Sequence, residues 1–188
     1  LGGRMHSLAL NRGLLYGFVL NGGKVHEQSE VIRIEEVGSV TRVHTAAGVI
    51  TATKGVVIAV HDATHTLLNE NNATTIPFYT YVGVTSPVSG GSKSLLPTGK
   101  PVYDTQLQID YYRPVRNERL LFGGQGTGMR WDDTRTVDYL TSRLRAVFPE
   151  HEELQLDFAW SGTTALTPNC ATDCLTGGTN GTIYSVHV

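Results

Sequence analysis

The feature that most constrains this chain is how often its apolar runs are interrupted. From Glu30 to Trp160 it proceeds in short β-branched and aromatic runs, separated by turns that carry glycine or Asn-Glu. Such runs read as strands, because branched and aromatic side chains fit a pleated surface and glycine supplies the backbone freedom of tight turns. Gly makes up 21 of 188 residues, about 11% against a typical ~7%. The apolar share is 40% and the net charge is −2, too much hydrophobicity and too little charge for disorder. The near-neutral balance, with a pI near 6.4, excludes nucleic acid and polybasic membrane contact as partners. No run of about 20 apolar residues exists to span a bilayer. Two cysteines exclude a disulfide scaffold and a four-thiolate zinc site. Leu1-Gly2-Gly3-Arg4 lacks the apolar core of a secretory signal, so the expected location is cytoplasmic, and the missing initiator Met suggests a piece of a longer chain.

Two helices interrupt the strands. Leu8, Leu10, Leu14, Leu15 and Phe18 follow a helical period from Ser7 to Leu20, with Ser7 as N-cap and Asn21-Gly22-Gly23 as the stop. Val137, Leu140, Leu144 and Val147 mark a second helix, starting at Asp133 or Thr134 and ending before Pro149, and its stripe should be buried. Strands are expected at 24–28, 30–36, 40–45, 49–52, 55–60, 76–87, 102–105, 106–113, 119–123 and 154–160, with a short helix at 62–69. Gly55–Val60 is continuously apolar, as in a strand buried on both faces. Asn69-Glu70-Asn71-Asn72 is the candidate boundary between two lobes of an α+β chain.

Few motifs carry chemistry. Gly124-Gln125-Gly126-Thr127-Gly128 lacks the third glycine of a dinucleotide turn and is separated from the next helix by Arg130–Asp133, so it reads as a surface loop. His61 and His65 could share a helical face, but no third ligand is spaced nearby and no metal is expected. Cys170 and Cys174 are too far apart for a C-x-x-C redox pair. No nucleophile triad stands out, so no catalytic residue is assigned. In Asp110-Tyr111-Tyr112-Arg113, alternation sends Tyr111 and Arg113 to one face and Asp110 and Tyr112 to the other. An Arg beside aromatics suits a carboxylate ligand, and equally describes an exposed Arg next to a half-buried Tyr.

Taken in order, the segments resemble the FAD-dependent oxidoreductases of the D-amino-acid oxidase, glycine oxidase and sarcosine oxidase family, in the γ-glutamylputrescine oxidase-like branch. Gly2-Gly3-Arg4-Met5-His6, Val43-His44-Thr45 with Gly48, Val56–Ala59 with His61–Thr64, Tyr103-Asp104-Thr105, Asp110–Arg113 with Leu121–Gly124, and Phe158–Gly162 with Leu166-Thr167-Pro168 carry the resemblance, which spans residues 2 to about 168. It implies a remnant of an α/β FAD-binding domain over residues 1–72. A substrate-domain-like sheet, mixed and mostly antiparallel, would follow over 73–158, and a return segment toward the FAD domain over 159–188. The reaction it implies is oxidation of a small amine or amino acid. By resemblance, Tyr79, Tyr81, Tyr111, Arg113 and Trp160 would face substrate, and Val31, Ala59, Val60 and Gly162 would contact FAD. The family's glycine fingerprint for the pyrophosphate has no match here, so FAD is expected to be absent from this chain alone. A non-enzymatic remnant or binding module is the alternative. The neighbours of the 56–60 strand would come from a segment outside this sequence, which leaves an apolar surface open to solvent or to self-association.

Overall fold

The computed structural model describes residues 5–63, 67, 76–106, 109–166, 173–177 and 183–187. The Asn69–Asn72 boundary, His65, and Cys170 lie outside them, as does most of the helix expected at 62–69; His61–Ala63 form a 3₁₀ turn. The chain divides into two compact units, Leu1–Ala73 with Ala171–Val188, and Thr74–Cys170.

In the first unit, α1 spans Ser7–Leu20. His6, not Ser7, is the cap: its Nδ1 accepts the Ala9 N–H at 3.3 Å, which satisfies the same free amide a serine would have reached. Strands β1 (Val31–Val37), β2 (Val40–Thr45) and β3 (Gly48–Ala52) form an antiparallel meander. The strand expected at 24–28 is absent; Gln28 turns left-handed at φ 51° and interrupts an extended path. The apolar 55–60 run yields only β4, Val56–Ile58. Its parallel neighbour is β11 (Ile183–His187) of the same chain, which continues antiparallel to β10 (Asp173–Gly177). The expectation that β4's neighbours lie outside the sequence is thus corrected for one side. Burial on both faces is corrected too: Ile58 is buried, whereas Val57 is 66% exposed.

The second unit is a five-stranded antiparallel sheet in the order β6-β7-β8-β5-β9. Its strands are β5 (Ile76–Thr85), β6 (Val102–Tyr103), β7 (Tyr111–Val115), β8 (Arg119–Thr127) and β9 (Leu156–Leu166). A short helix, α2 (Ser92–Leu95), follows β5, and α3 (Asp133–Val147) packs on β5, β8 and β9. The mixed α+β class with antiparallel sheets is what the structure has. Two local expectations change. The segment read as a glycine loop continues as strand to Thr127, because β8 keeps pairing with β5 past an irregularity opposite Thr80 and Tyr81. The last strand starts and ends later than expected, at Leu156 and Leu166.

One face of this sheet is closed by α3. Tyr81, Leu120 and Phe122 from the sheet meet Leu140 and Leu144 from the helix, all fully buried. Val137 is 38% exposed, so the expected stripe is shifted: Thr136 takes its place in the buried face. The Thr136 hydroxyl donates to the Asp132 carbonyl at 2.8 Å, so its polar atom is satisfied within the helix.

Candidate functional site

The opposite face of the sheet carries the candidate site, and its composition follows from register. Tyr103 lies opposite Tyr111, Tyr111 opposite Gly123, Gly123 opposite Val82, and Val82 opposite Trp160. Directly paired residues share a face, so this row crosses all five strands on one side. The adjacent row runs Arg113, Leu121, Val84, Phe158. On the other side of the first row, Thr80 lies between Gly126 and Gly162. Tyr111, Arg113, Trp160 and Gly162 therefore share the face that α3 leaves open.

Two rings crowd the backbone of β8. A Cβ on Gly123 would come within 2.3 Å of the Tyr111 ring, and one on Gly126 within 1.6 Å of the Phe78 ring. Only glycine lets the rings approach the backbone this closely. Burial pushes the Tyr111 phenol pKa up, because its charged form would lose water. Arg113 is half-buried in the neighbouring row. On β9, Trp160 is 47% exposed and Phe158 still more, and the Arg119 guanidinium sits 5.8 Å from the centre of the Phe158 ring. Arg119 is also paired with Asp157.

Tyr79 and Tyr81 do not face this side. They alternate with Phe78 and Thr80 and lie on the helix-covered face, which corrects the expectation that both contact substrate. Tyr81 is fully buried. Its hydroxyl accepts from Trp131 N–H at 3.0 Å, donates to the Met129 carbonyl at 3.1 Å and lies 3.0 Å from Thr127 Oγ1. Its ring stacks on Trp131 at 4.6 Å. This is a core fixture that holds the segment between β8 and α3.

Of the residues expected near a cofactor, Val31, Ala59 and Val60 belong to the first unit and Gly162 to the second. Val31 opens β1 opposite Thr45 and is half-buried. Ala59 and Val60 follow β4 and are exposed. Gly162 stands on β9, with no atom within 4 Å of where a Cβ would be. Sequence reasoning missed Phe78, Tyr103, Gly123, Gly126 and Phe158 as members of the open face. Spacing by two, as in Phe158 and Trp160, was a usable signal for a shared face; the close approach of rings to glycines was not. Among the described residues no group of three or more His, Cys, Asp or Glu could hold a metal ion. No helix among them is long and apolar enough to cross a membrane.

Comparison with known proteins places this geometry in a family. Residues 1–183 match the family model described as DAO, FAD dependent oxidoreductase. The chain is 32% identical over 171 residues to gamma-glutamylputrescine oxidoreductase of Escherichia coli (strain K12), covering 88% of this chain and 39% of that protein. It is 27% identical over 166 residues to the probable oxidoreductase OrdL of Rhizobium meliloti (strain 1021), covering 88% of this chain and 38% of the relative. The fold matches glycine oxidase from Geobacillus kaustophilus with a TM-score of 0.75 at 20% identity, over 94% of this chain and 46% of that one. It matches L-proline dehydrogenase from P. horikoshii with a TM-score of 0.74 at 16% identity, over 90% and 46%. The chain thus spans roughly two fifths of the length of these curated relatives. On the breadth of the family match and the identity to a curated member, the chain belongs to the DAO family of FAD dependent oxidoreductases.

Proposed function

We propose that the open sheet face is the substrate-facing surface of an oxidoreductase acting on an amine or amino acid, with Arg113 taking a carboxylate and Tyr111 and Trp160 walling the organic part. The carrying observation is the register that sets a guanidinium among aromatic rings on the one face α3 does not cover. A guanidinium matches a carboxylate through paired N–H bonds, and flat rings fix the apolar remainder. The names of the relatives, a gamma-glutamylputrescine oxidoreductase, a glycine oxidase and an L-proline dehydrogenase, support amine or amino-acid substrates. In this family the flavin carries the redox chemistry, and the protein binds and orients.

The described residues do not fit the pyrophosphate of FAD. Pyrophosphate is held by backbone N–H groups where a glycine turn opens a helix. Here the glycines at 124 and 126 lie inside β8, with Met129–Trp131 and the Asp132 cap before α3. At α1 the Ala9 amide is taken by His6. What remains at Val31, Ala59, Val60 and Gly162 are apolar and backbone contacts of about 1 kcal/mol each. These are too few against the several kcal/mol of freedom that a bound dinucleotide loses, roughly 4 or more. On this misfit of the described residues we expect residues 1–188 by themselves to retain no FAD and to turn over no substrate, and a binding module is the second reading for this chain alone.

The test is direct. An N-alkyl glycine should change the Trp160 fluorescence saturably. The matching amine without the carboxylate should not, and Arg113→Ala and Trp160→Phe should abolish the response. An unchanged response in Arg113→Ala, or none in the native chain at millimolar ligand, overturns the site. Separately, micromolar quenching of added FAD would overturn the cofactor reading.

A further inference from the structure

We propose that Asp110 and Arg143 are a positioning pair that seats Tyr111 on the open face. The importance of Tyr111 rests on the reading above; the pairing itself does not.

Asp110 immediately precedes β7 and is 1% exposed. Arg143, reaching from α3, donates through Nε to Oδ2 at 3.1 Å and through Nη2 to the same oxygen. The backbone of Asp110 is fixed as well. Its N–H donates to Asp104 Oδ1 at 3.2 Å, and its carbonyl accepts the Asp104 N–H at 3.0 Å. The carboxylate occupies the place where a side chain on Gly124 would begin: a Cβ there would lie 2.7 Å from Asp110 Oδ1. One residue on, alternation carries Tyr111 to the opposite face, where its ring lies on Gly123. Asp110, just before β7, and Tyr111, its first residue, thus press on two successive glycines of β8 from opposite sides. The carboxylate below and the phenol above hold β8 between them, and α3 sets the position of the carboxylate.

A buried ion pair is weak evidence for stability, since apolar residues of similar volume often serve as well. Its best-attested use is to fix register, and Asp110 stands where register decides which ring reaches Gly123.

Ring currents provide the readout. The face of an aromatic ring shields protons beneath it, so the Gly123 Hα resonances of the native chain should lie well upfield of their usual position. In Asp110→Asn and Arg143→Met most of that displacement should disappear, and Arg143→Lys should restore much of it. Arg143 is partly exposed, so Arg143→Met decides the matter if Asp110→Asn fails to fold. A lower melting temperature in Arg143→Met with the Gly123 resonances unmoved would make the pair merely structural and overturn the proposal. The measurement uses the chain without ligand. Its failure therefore leaves the carboxylate site standing, and failure of ligand binding leaves the pair standing.

Discussion

At the scale of single residues the second unit depends on glycines that cannot grow. Gly123→Ala would drive a methyl into the Tyr111 ring, a small-to-large change in a filled space. Overpacking of this kind costs about 1–3 kcal/mol. The expected outcome is a lower urea midpoint together with a displaced Tyr111, read by the Tyr111 ring resonances in the NMR spectrum. Gly162→Ala is the control, since nothing lies near its Cβ position; it should shift the midpoint far less. The buried Tyr81 hydroxyl gives a second residue-level expectation. Tyr81→Phe leaves the Trp131 N–H without its acceptor. A fully buried donor stripped of its partner costs about 1–3 kcal/mol, and this part-buried one should fall toward the lower end. Chemical denaturation should show that loss, with binding at the open face retained, because the hydroxyl lies on the other side of the sheet.

At the scale of elements, α3 is a helix whose buried face is set by Thr136, Leu140 and Leu144 and whose start is fixed by Asp132. The Asp132 carboxylate accepts the Arg135 N–H at 2.8 Å. Asp132→Ala should cost about 1 kcal/mol, as N-cap removal usually does. Leu144→Ala should cost about 2–5 kcal/mol, because it leaves a cavity in the core. Val137→Ala should cost much less, since that side chain is already partly in water; equal losses at 137 and 144 would refute the assigned face. The link between α2 and the turn that precedes β8 is electrostatic. Glu118 Oε2 accepts from the Ser92 N–H at 2.8 Å and from the Ser92 hydroxyl at 3.0 Å. The backbone N–H, the hydroxyl and the nearby Lys93 hold its carboxyl below the ordinary glutamate value. A carboxyl whose folded pKa is depressed contributes stability that is fully present above its unfolded pKa and lost as pH falls through the folded one. The native chain should therefore melt higher than Glu118→Gln near neutrality. The gap should close as pH drops below about 4, beneath the usual glutamate range. A gap that persists at low pH would show that the carboxylate charge does not matter there.

At the scale of the whole molecule, the first unit exposes much apolar surface. Leu8, Leu10, Leu14, Leu15, Tyr16, Phe18, Val19 and Leu20 of α1 are all exposed, as is Val57 of β4. Soluble monomers rarely leave this many large apolar side chains of one helix in water. The 188-residue chain is therefore expected to self-associate, or to bind an apolar dye, in proportion to that surface. Sedimentation across a concentration series checks this, with Phe18→Glu and Leu14→Glu as paired variants that should shift the chain toward monomer. A monodisperse native monomer with no dye binding would contradict it.

Local chemistry alone determined most of the elements. Alternation located the strands expected at 30–36 and 40–45 to within a residue, helical spacing located α1 and α3, and left-handed Asn117 and Glu118 turn the chain where the sequence had placed a turn. The order of short motifs was enough for the family. Tertiary structure alone decided which face of each element is covered. A strand's period of two divides Tyr79 and Tyr81 from Phe78 and Thr80 without saying which set meets α3. That choice placed Tyr81 in the core and left Trp160 on the open face. The partner of β4 was equally out of reach, because it is paired with β11, more than a hundred residues further along the chain. Periodicity is written by neighbours in sequence, whereas burial and strand partnership are settled by contacts between distant segments, and one segment's pattern is compatible with several of these.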